Sequence, residues 1–187
     1  MIAIFNRQDK TDEGSKGVSS LQTLELLVKL AQLSLTSVID NNVLPARREG
    51  YEIEMRKLGL AESRVISFGT PPISMKQGGE AIVRLLEQWP KVEAAICVSD
   101  LPAFGAVMEC QRRNWKVPEQ IAIAGFGDFE ISGTCYPTIT TVGVHCYDIG
   151  NKAGGLLLRA IEGERYGRVL ATETIVTDYN VMQHESI

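Results

Sequence analysis

The sequence predicts an α/β protein: a doubly wound, mostly parallel sheet flanked by helices. Two observations carry that prediction. Short apolar runs alternate with stretches of helical period along nearly the whole length, an order that lays helices on both faces of a largely parallel sheet. Within Ala94–Val142 an apolar strand, a helix-like stretch and a second apolar strand (Ile121–Gly125) form a βαβ unit. Its strands end on polar tips, Ser99-Asp100 and Phe126-Gly127-Asp128. In open α/β sheets ligands bind outside the carboxyl ends of the strands, so these tips point to a small-molecule site.

The elements follow in order. Met1–Phe5 is a short apolar run that reads as a strand, and the polar stretch Gln8–Gly17 reads as a loop. Leu21, Leu24, Leu27, Val28, Leu30 and Ala31 recur near helical spacing over Ser19–Leu33, with Ser19 or Ser20 as the cap. Leu35–Ile39 reads as a strand broken by Asp40-Asn41-Asn42. Pro45 opens a helix that runs to about Leu58 and stops at Gly59. Val65–Phe68 is a strand and leads into a Gly-Thr-Pro-Pro loop; Lys76–Trp89 is a helix ended by Pro90. The strands Ala94–Val98 and Ile121–Gly125 flank a helix over Pro102–Asn114. Gly127–Val144 has no helical period and is long for a connector; such connectors tend to be functional or to cross between lobes. Asp148–Glu162 is a helix stopped by Gly163, and Thr172–Val176 is the final strand.

The chain of 187 residues has room for a real core, with 44% hydrophobic and 22% charged residues, as in ordinary globular proteins. Its net charge of −4 is unlike the basic footprint of a free-standing DNA-binding module. No apolar run approaches the roughly 20 residues of a membrane span. The first residues turn polar early and lack a basic start, which argues against a signal peptide and for the cytoplasm. Cys97, Cys110, Cys135 and Cys146 form no CxxC pair and read as buried thiols in a reducing compartment. His145 and His184 are the only histidines, and neither has a ligand or nucleophile at motif spacing. Trp89 and Trp115 sit at element edges and read as packing residues.

Arg47 and Arg48 fall in the first turn of the helix opened by Pro45, where the helix dipole disfavours cations. A cation held there near a strand tip is a candidate for gripping an anionic or hydroxylated ligand bidentately; the plainer alternative is a solvated pair beside Glu49. Ser99 and Asp100 are both good helix caps, and capping is compatible with ligand contact. Asp128 holds the same topological place after the next strand. Two carboxylates at neighbouring tips suit acid/base work or a hard metal ion. No HExxH, GxSxG, P-loop or GxGxxG accompanies them, so no metal and no cofactor is expected.

Several segments together resemble the LacI/GalR family of bacterial transcriptional repressors. The run from Ile121 through Gly125-Phe126-Gly127-Asp128, followed by Pro137-Thr138-Ile139-Thr140-Thr141-Val142, is similar to that family's GFDD…PxLTTV segment. Ser99-Asp100 with Ala103, Gly105 and Ala106 looks like its NDxxAxGA step, and Val117-Pro118 sits at its VP turn, with Asn114 and Gln120 departing from the pattern. Arg47, Gly50 and Tyr51 match an RxxGF helix start; Ile149-Gly150 through Leu158 match the LGxxAxxxLL helix; Thr172–Val176 match a closing TELIV strand. The resemblance is strongest over about 45–178 and comes nearest to gluconate-type repressors.

The resemblance implies a two-lobed, periplasmic-binding-protein-like domain that binds a small effector, a sugar or sugar acid, in its cleft. It implies a homodimer that controls operator DNA through a helix-turn-helix headpiece. By position, Arg47 would hold effector hydroxyls or a carboxylate. Ser99 stands where Asn or Asp is usual, with Asp100 beside it. Gly127 stands where an effector-binding Asp is frequent, with Asp128 next to it. Ile73 or Ser74 lies near a site that often presents a stacking residue. Losing a carboxylate at Gly127 while keeping Arg47 suits an anionic effector such as a sugar acid. The matched motifs begin near Pro45, so the headpiece and most of the first lobe are expected to be absent. The expected division is 1–144 as the C-terminal lobe, 145–165 as a crossover helix of the first lobe, and 166–187 as closing strand and tail. That helix then presents an apolar face for a partner. The alternatives are a transporter's sugar-binding protein of the same fold, and an α/β enzyme using Asp100 and Asp128, which lacks a nucleophile–base pair.

Overall fold

A computed structural model of the chain describes residues 2–5, 43–57, 64–67, 74–166, 175 and 177–187. The expected helix 19–33, strand 35–39, the Gly59 stop, the Gly-Thr-Pro-Pro loop, Ile73 and most of the strand 172–176 lie outside these residues. One sheet has the order β2 (Arg64–Ile66), β1 (Ile2–Phe5), β3 (Ala94–Cys97), β4 (Ala122–Ala124). β3 and β4 pair in parallel, Ala94 opposite Ala122 and Ile96 opposite Ala124, joined across α3 (Asp100–Arg112). β1 runs antiparallel to both neighbours, with Ala3 opposite Val65 on one side and Ile96 on the other. The sheet is therefore parallel in β2, β3 and β4, with one reversed strand inserted. A helix, α1, stands between β1 and β2 in sequence, yet the two strands pair antiparallel, so alternation of strands and helices did not fix the direction of β1.

Successive residues of β3 point to opposite faces, and each face meets helices. Ala95 and Cys97 pack with Ala81, Ile82 and Leu85 of α2 (Met75–Gln88) and with Ala103, Ala106, Val107 and Cys110 of α3. Ala94 and Ile96 pack with Tyr51 and Met55 of α1 (Val43–Lys57), Phe126 and Val142. Burial on both faces is why this strand is continuously apolar.

Local signals set the helix ends. Ser74 starts α2 with a capping box: its hydroxyl accepts from the Gln77 N–H at 3.3 Å, and the Gln77 side chain accepts from the Ser74 N–H at 2.9 Å. Asn114 follows α3 at φ 56, the left-handed conformation in which glycine is usual and Asn is tolerated. Asn114, which departs from the family's GxxVPxD turn where glycine is usual, can therefore hold that place.

Beyond β4, the connector 127–144 is more ordered than its sequence suggests. It contains α4 (Glu130–Thr134) and β5 (Thr141–Val144). Gly125 and Gly127 donate to the carbonyls of Thr140 and Val142, each at 2.8 Å, so this segment runs beside the end of β4. β5 then pairs antiparallel with β6 (Tyr179–Met182). The C-terminal residues are bolted on: the buried Ser186 hydroxyl accepts from the Thr140 N–H at 2.8 Å and donates to the Ile123 carbonyl at 2.5 Å. Ser186→Ala leaves both groups unpaired in a buried place and is expected to cost about 2 kcal/mol, read as a lower urea midpoint at unchanged slope.

The helix α5 (Cys146–Arg165) carries Leu157, Leu158 and Ile161 exposed on its surface. No helix among the described residues is long and apolar enough to cross a membrane.

Candidate functional site

The carboxyl ends of β3 and β4 and the start of β5 lie together at one end of the sheet. Arg47 reaches them from α1. That helix begins at Val43, so Arg47 lies beyond its first turn and the helix dipole bears on it less than the sequence suggested. Burial against the strand tips distinguishes it instead. Its guanidinium lies over the Phe126 ring, 3.7 Å from the centroid, and Nη1 donates to the Val98 carbonyl at the end of β3. Nε is buried with no hydrogen-bond partner. Burial lowers the Arg47 pKa to about 10, opposed by the negative charge of Asp100, so the group is charged at neutral pH. Arg48 behaves differently: it is exposed and pairs with Glu52 at 2.7 Å, a solvated i,i+4 bridge.

Ser99 is the N-cap residue of α3, extended and half-buried, with no capping bond from its hydroxyl. Asp100 turns inward and is fully buried. Its Oδ1 accepts from the Thr141 hydroxyl at 2.6 Å and its Oδ2 from the Phe129 N–H at 2.7 Å. Burial raises its pKa, against these two hydrogen bonds, and Asp128 adds to the rise. Gly127 and Asp128 both have positive φ, 129 and 54. A β-carbon on Gly127 would come within 2.9 Å of the Phe129 ring, so this half-exposed aromatic fills the place of a side chain there. Asp128 is exposed, and its N–H donates to the Thr141 hydroxyl oxygen at 3.3 Å.

Of the predicted site residues, Arg47, Ser99, Asp100, Gly127 and Asp128 thus gather around the β3 and β4 tips. Ser74 caps α2: its hydroxyl and N–H pair with Gln77, and its carbonyl accepts from the Gly78 N–H at 3.1 Å. Phe126, Phe129 and Thr141 were not singled out from the sequence; the two phenylalanines flanking Gly127-Asp128 were the available signal.

The pairing of Asp100 with Asp128 as acid and base meets an obstacle in the burial of Asp100, whose oxygens are both engaged. No cluster of three His, Cys, Asp or Glu residues suited to a metal ion occurs among the described residues. Cys97 and Cys110 are buried, with thiols pushed up to about 12 by desolvation, whereas Cys135 is half-buried and Cys146 exposed. Burial of all four thiols was therefore too broad an expectation. The ring Nε2 of His145 lies 3.3 Å from the Asn180 amide.

Residues 29–183 match the periplasmic binding protein-like domain. The HTH-type transcriptional repressor CytR of Escherichia coli (strain K12) is 31% identical over 134 residues, which is 70% of this chain and 39% of CytR. The HTH-type transcriptional regulator GntR of Pseudomonas aeruginosa is 35% identical over 118 residues, 63% of this chain and 34% of GntR. The crystal structure of a LacI family transcriptional regulator from Silicibacter pomeroyi superposes with a TM-score of 0.64 at 32% identity, covering 78% of this chain and 50% of that one. The chain spans well under half the length of these two curated relatives. Fold, motif order and these matches agree: the chain belongs to the periplasmic binding protein-like domain family and is homologous to the LacI-family transcriptional regulators.

Proposed function

We propose that this chain is the effector-sensing part of a bacterial transcriptional regulator and that its effector is a small sugar acid. The observation that carries the reading is Arg47: a half-buried, charged guanidinium held against the tips of β3 and β4, with Nη1 on the Val98 carbonyl. A carboxylate would supply acceptors for its accessible N–H groups, and Arg–carboxylate pairs are among the stronger, more directional hydrogen-bonded contacts. Gly127 contributes no carboxylate of its own to the facing tip, which leaves Asp128 as the exposed acid there. The Ser99 hydroxyl and the exposed Asp128 carboxylate would bind sugar hydroxyls, and the Phe126 and Phe129 rings would give apolar walls. Asp100 is assigned a supporting place because it is buried.

The wider reading follows from the homologous regulators. The chain would form the C-terminal lobe over 1–144, with 145–165 as a crossover helix of the first lobe. Operator DNA would be contacted through a helix-turn-helix headpiece elsewhere in a longer cytoplasmic protein, acting as a homodimer. The exposed Leu157, Leu158 and Ile161 of α5 support a covering partner. The reading assigns no catalysis to the chain. Similarity to regulators favours it over a transporter's sugar-binding protein.

Thermal unfolding with added ligand tests it. A ligand bound to the native state at 100 times its Kd stabilises by about 2.7 kcal/mol. D-gluconate is expected to raise the Tm and D-glucose to leave it nearly unchanged; an equal or larger shift with glucose would overturn the sugar-acid assignment.

A further inference from the structure

We propose that Asp100, with Thr141, is a positioning pair that sets the shape of the 126–129 tip for the effector; this rests on the effector reading above. The buried carboxylate of Asp100 and the Thr141 hydroxyl hold the two residues after Gly127, and the Asp100 backbone holds the residue before it. The Asp100 N–H donates to the Phe126 carbonyl at 3.2 Å, before the glycine. After it, Oδ2 takes the Phe129 N–H at 2.7 Å. The Thr141 hydroxyl donates to Oδ1 at 2.6 Å, and its oxygen accepts the Asp128 N–H at 3.3 Å. The Gly127 N–H is fixed separately, on the Val142 carbonyl at 2.8 Å.

This arrangement answers a need. Asp128 at φ 54 sits in a conformation that a non-glycine residue keeps only when its surroundings hold it. The bonds from 126, 128 and 129 supply that hold. The approach also requires Gly125, where a β-carbon would lie 2.1 Å from Asp100 Oδ1. Asp100 therefore reaches the ligand through the backbone it orders and through its negative charge, which helps keep Arg47 protonated.

The chemistry makes a conservative test possible. An amide at 100 cannot accept from both Phe129 and Thr141. With its oxygen toward the Phe129 N–H, its NH2 faces the Thr141 hydroxyl, whose own O–H then loses its acceptor and must turn away. Thr141→Val removes the hydroxyl and keeps the shape; Thr141→Ser keeps the hydroxyl.

Two measurements on the full chain separate the outcomes: calorimetric affinity for D-gluconate, and hydrogen exchange of the 126–131 amides without ligand. Asp100→Asn and Thr141→Val are expected to lose about 10-fold or more in affinity and to exchange faster over 126–131, while Thr141→Ser stays near wild type in both. If Asp100→Asn does not fold, the Thr141→Val and Thr141→Ser pair decides. Faster exchange with unchanged gluconate affinity would overturn the positioning role and leave the effector reading intact. Equal losses in Thr141→Ser and Thr141→Val would also overturn it, because the hydroxyl would then not be what matters. If wild type binds no gluconate while the exchange pattern holds, the effector reading fails and the ligand role of the pair fails with it.

Discussion

Gly105→Ala is expected to destabilise the protein by about 3 kcal/mol, at the upper end of what overpacking a core costs. A β-carbon at 105 would stand 1.7 Å from the Met75 carbonyl oxygen and 2.5 Å from its carbon. Both are backbone atoms in the first turn of α2, so no side-chain rotation relieves the overlap. The helices α2 and α3 must separate, and α2 is pinned a turn further on by Gly78, where a β-carbon would meet the Pro102 carbonyl oxygen at 2.1 Å. Separation opens the apolar layer formed by Ile82, Leu85, Ala106 and Val107. The urea midpoint should fall at nearly constant slope. Gly154→Ala on α5 is the control: nothing lies within 4 Å of its added carbon, and helix propensity favours alanine by about 1 kcal/mol. A Gly105→Ala protein as stable as wild type would refute the close α2–α3 packing.

Arg47→Met is expected to weaken D-gluconate binding about 100-fold, or ~2.7 kcal/mol, within the range for removing one partner of a buried, hydrogen-bonded charge pair. Methionine keeps an unbranched apolar stem beside the Phe126 ring, so the fold around α1 should survive. Arg47→Lys should restore only part of the affinity, because an ammonium lacks the planar fork that serves the Val98 carbonyl and a carboxylate together. Undiminished gluconate affinity in Arg47→Met, measured by calorimetry, would remove the guanidinium from the site.

The βαβ unit from β3 to β4 was legible in the sequence because its signals are redundant: apolar strands, a helix-like stretch between them, and polar residues at both tips. The same signals marked the end of the sheet where Arg47, Ser99 and Gly127 gather. Three structural features were not legible. The direction of β1 is set by pairing with β2 and β3, distant in sequence, and alternation says nothing of it. α4 is five residues long, too short to show a period. β5 finds its partner β6 near the C-terminus, in residues that alone read as a polar tail. The place of Asp100 was legible and its orientation was not. Its sequence position puts it at a tip, but the missing β-carbon of Gly125 and the hydroxyl of Thr141 turn its carboxylate inward, and that juxtaposition exists only in three dimensions.

The strand tips around the half-buried Arg47 are expected to select a negatively charged sugar. Titration calorimetry of this chain with D-gluconate and with D-glucose, under identical buffer and salt, tests that selection most directly. Measurable gluconate binding is expected, with glucose binding weaker by about 10-fold or more, the loss of one charge-assisted contact. Glucose binding as tightly as gluconate, or more tightly, would contradict that selection.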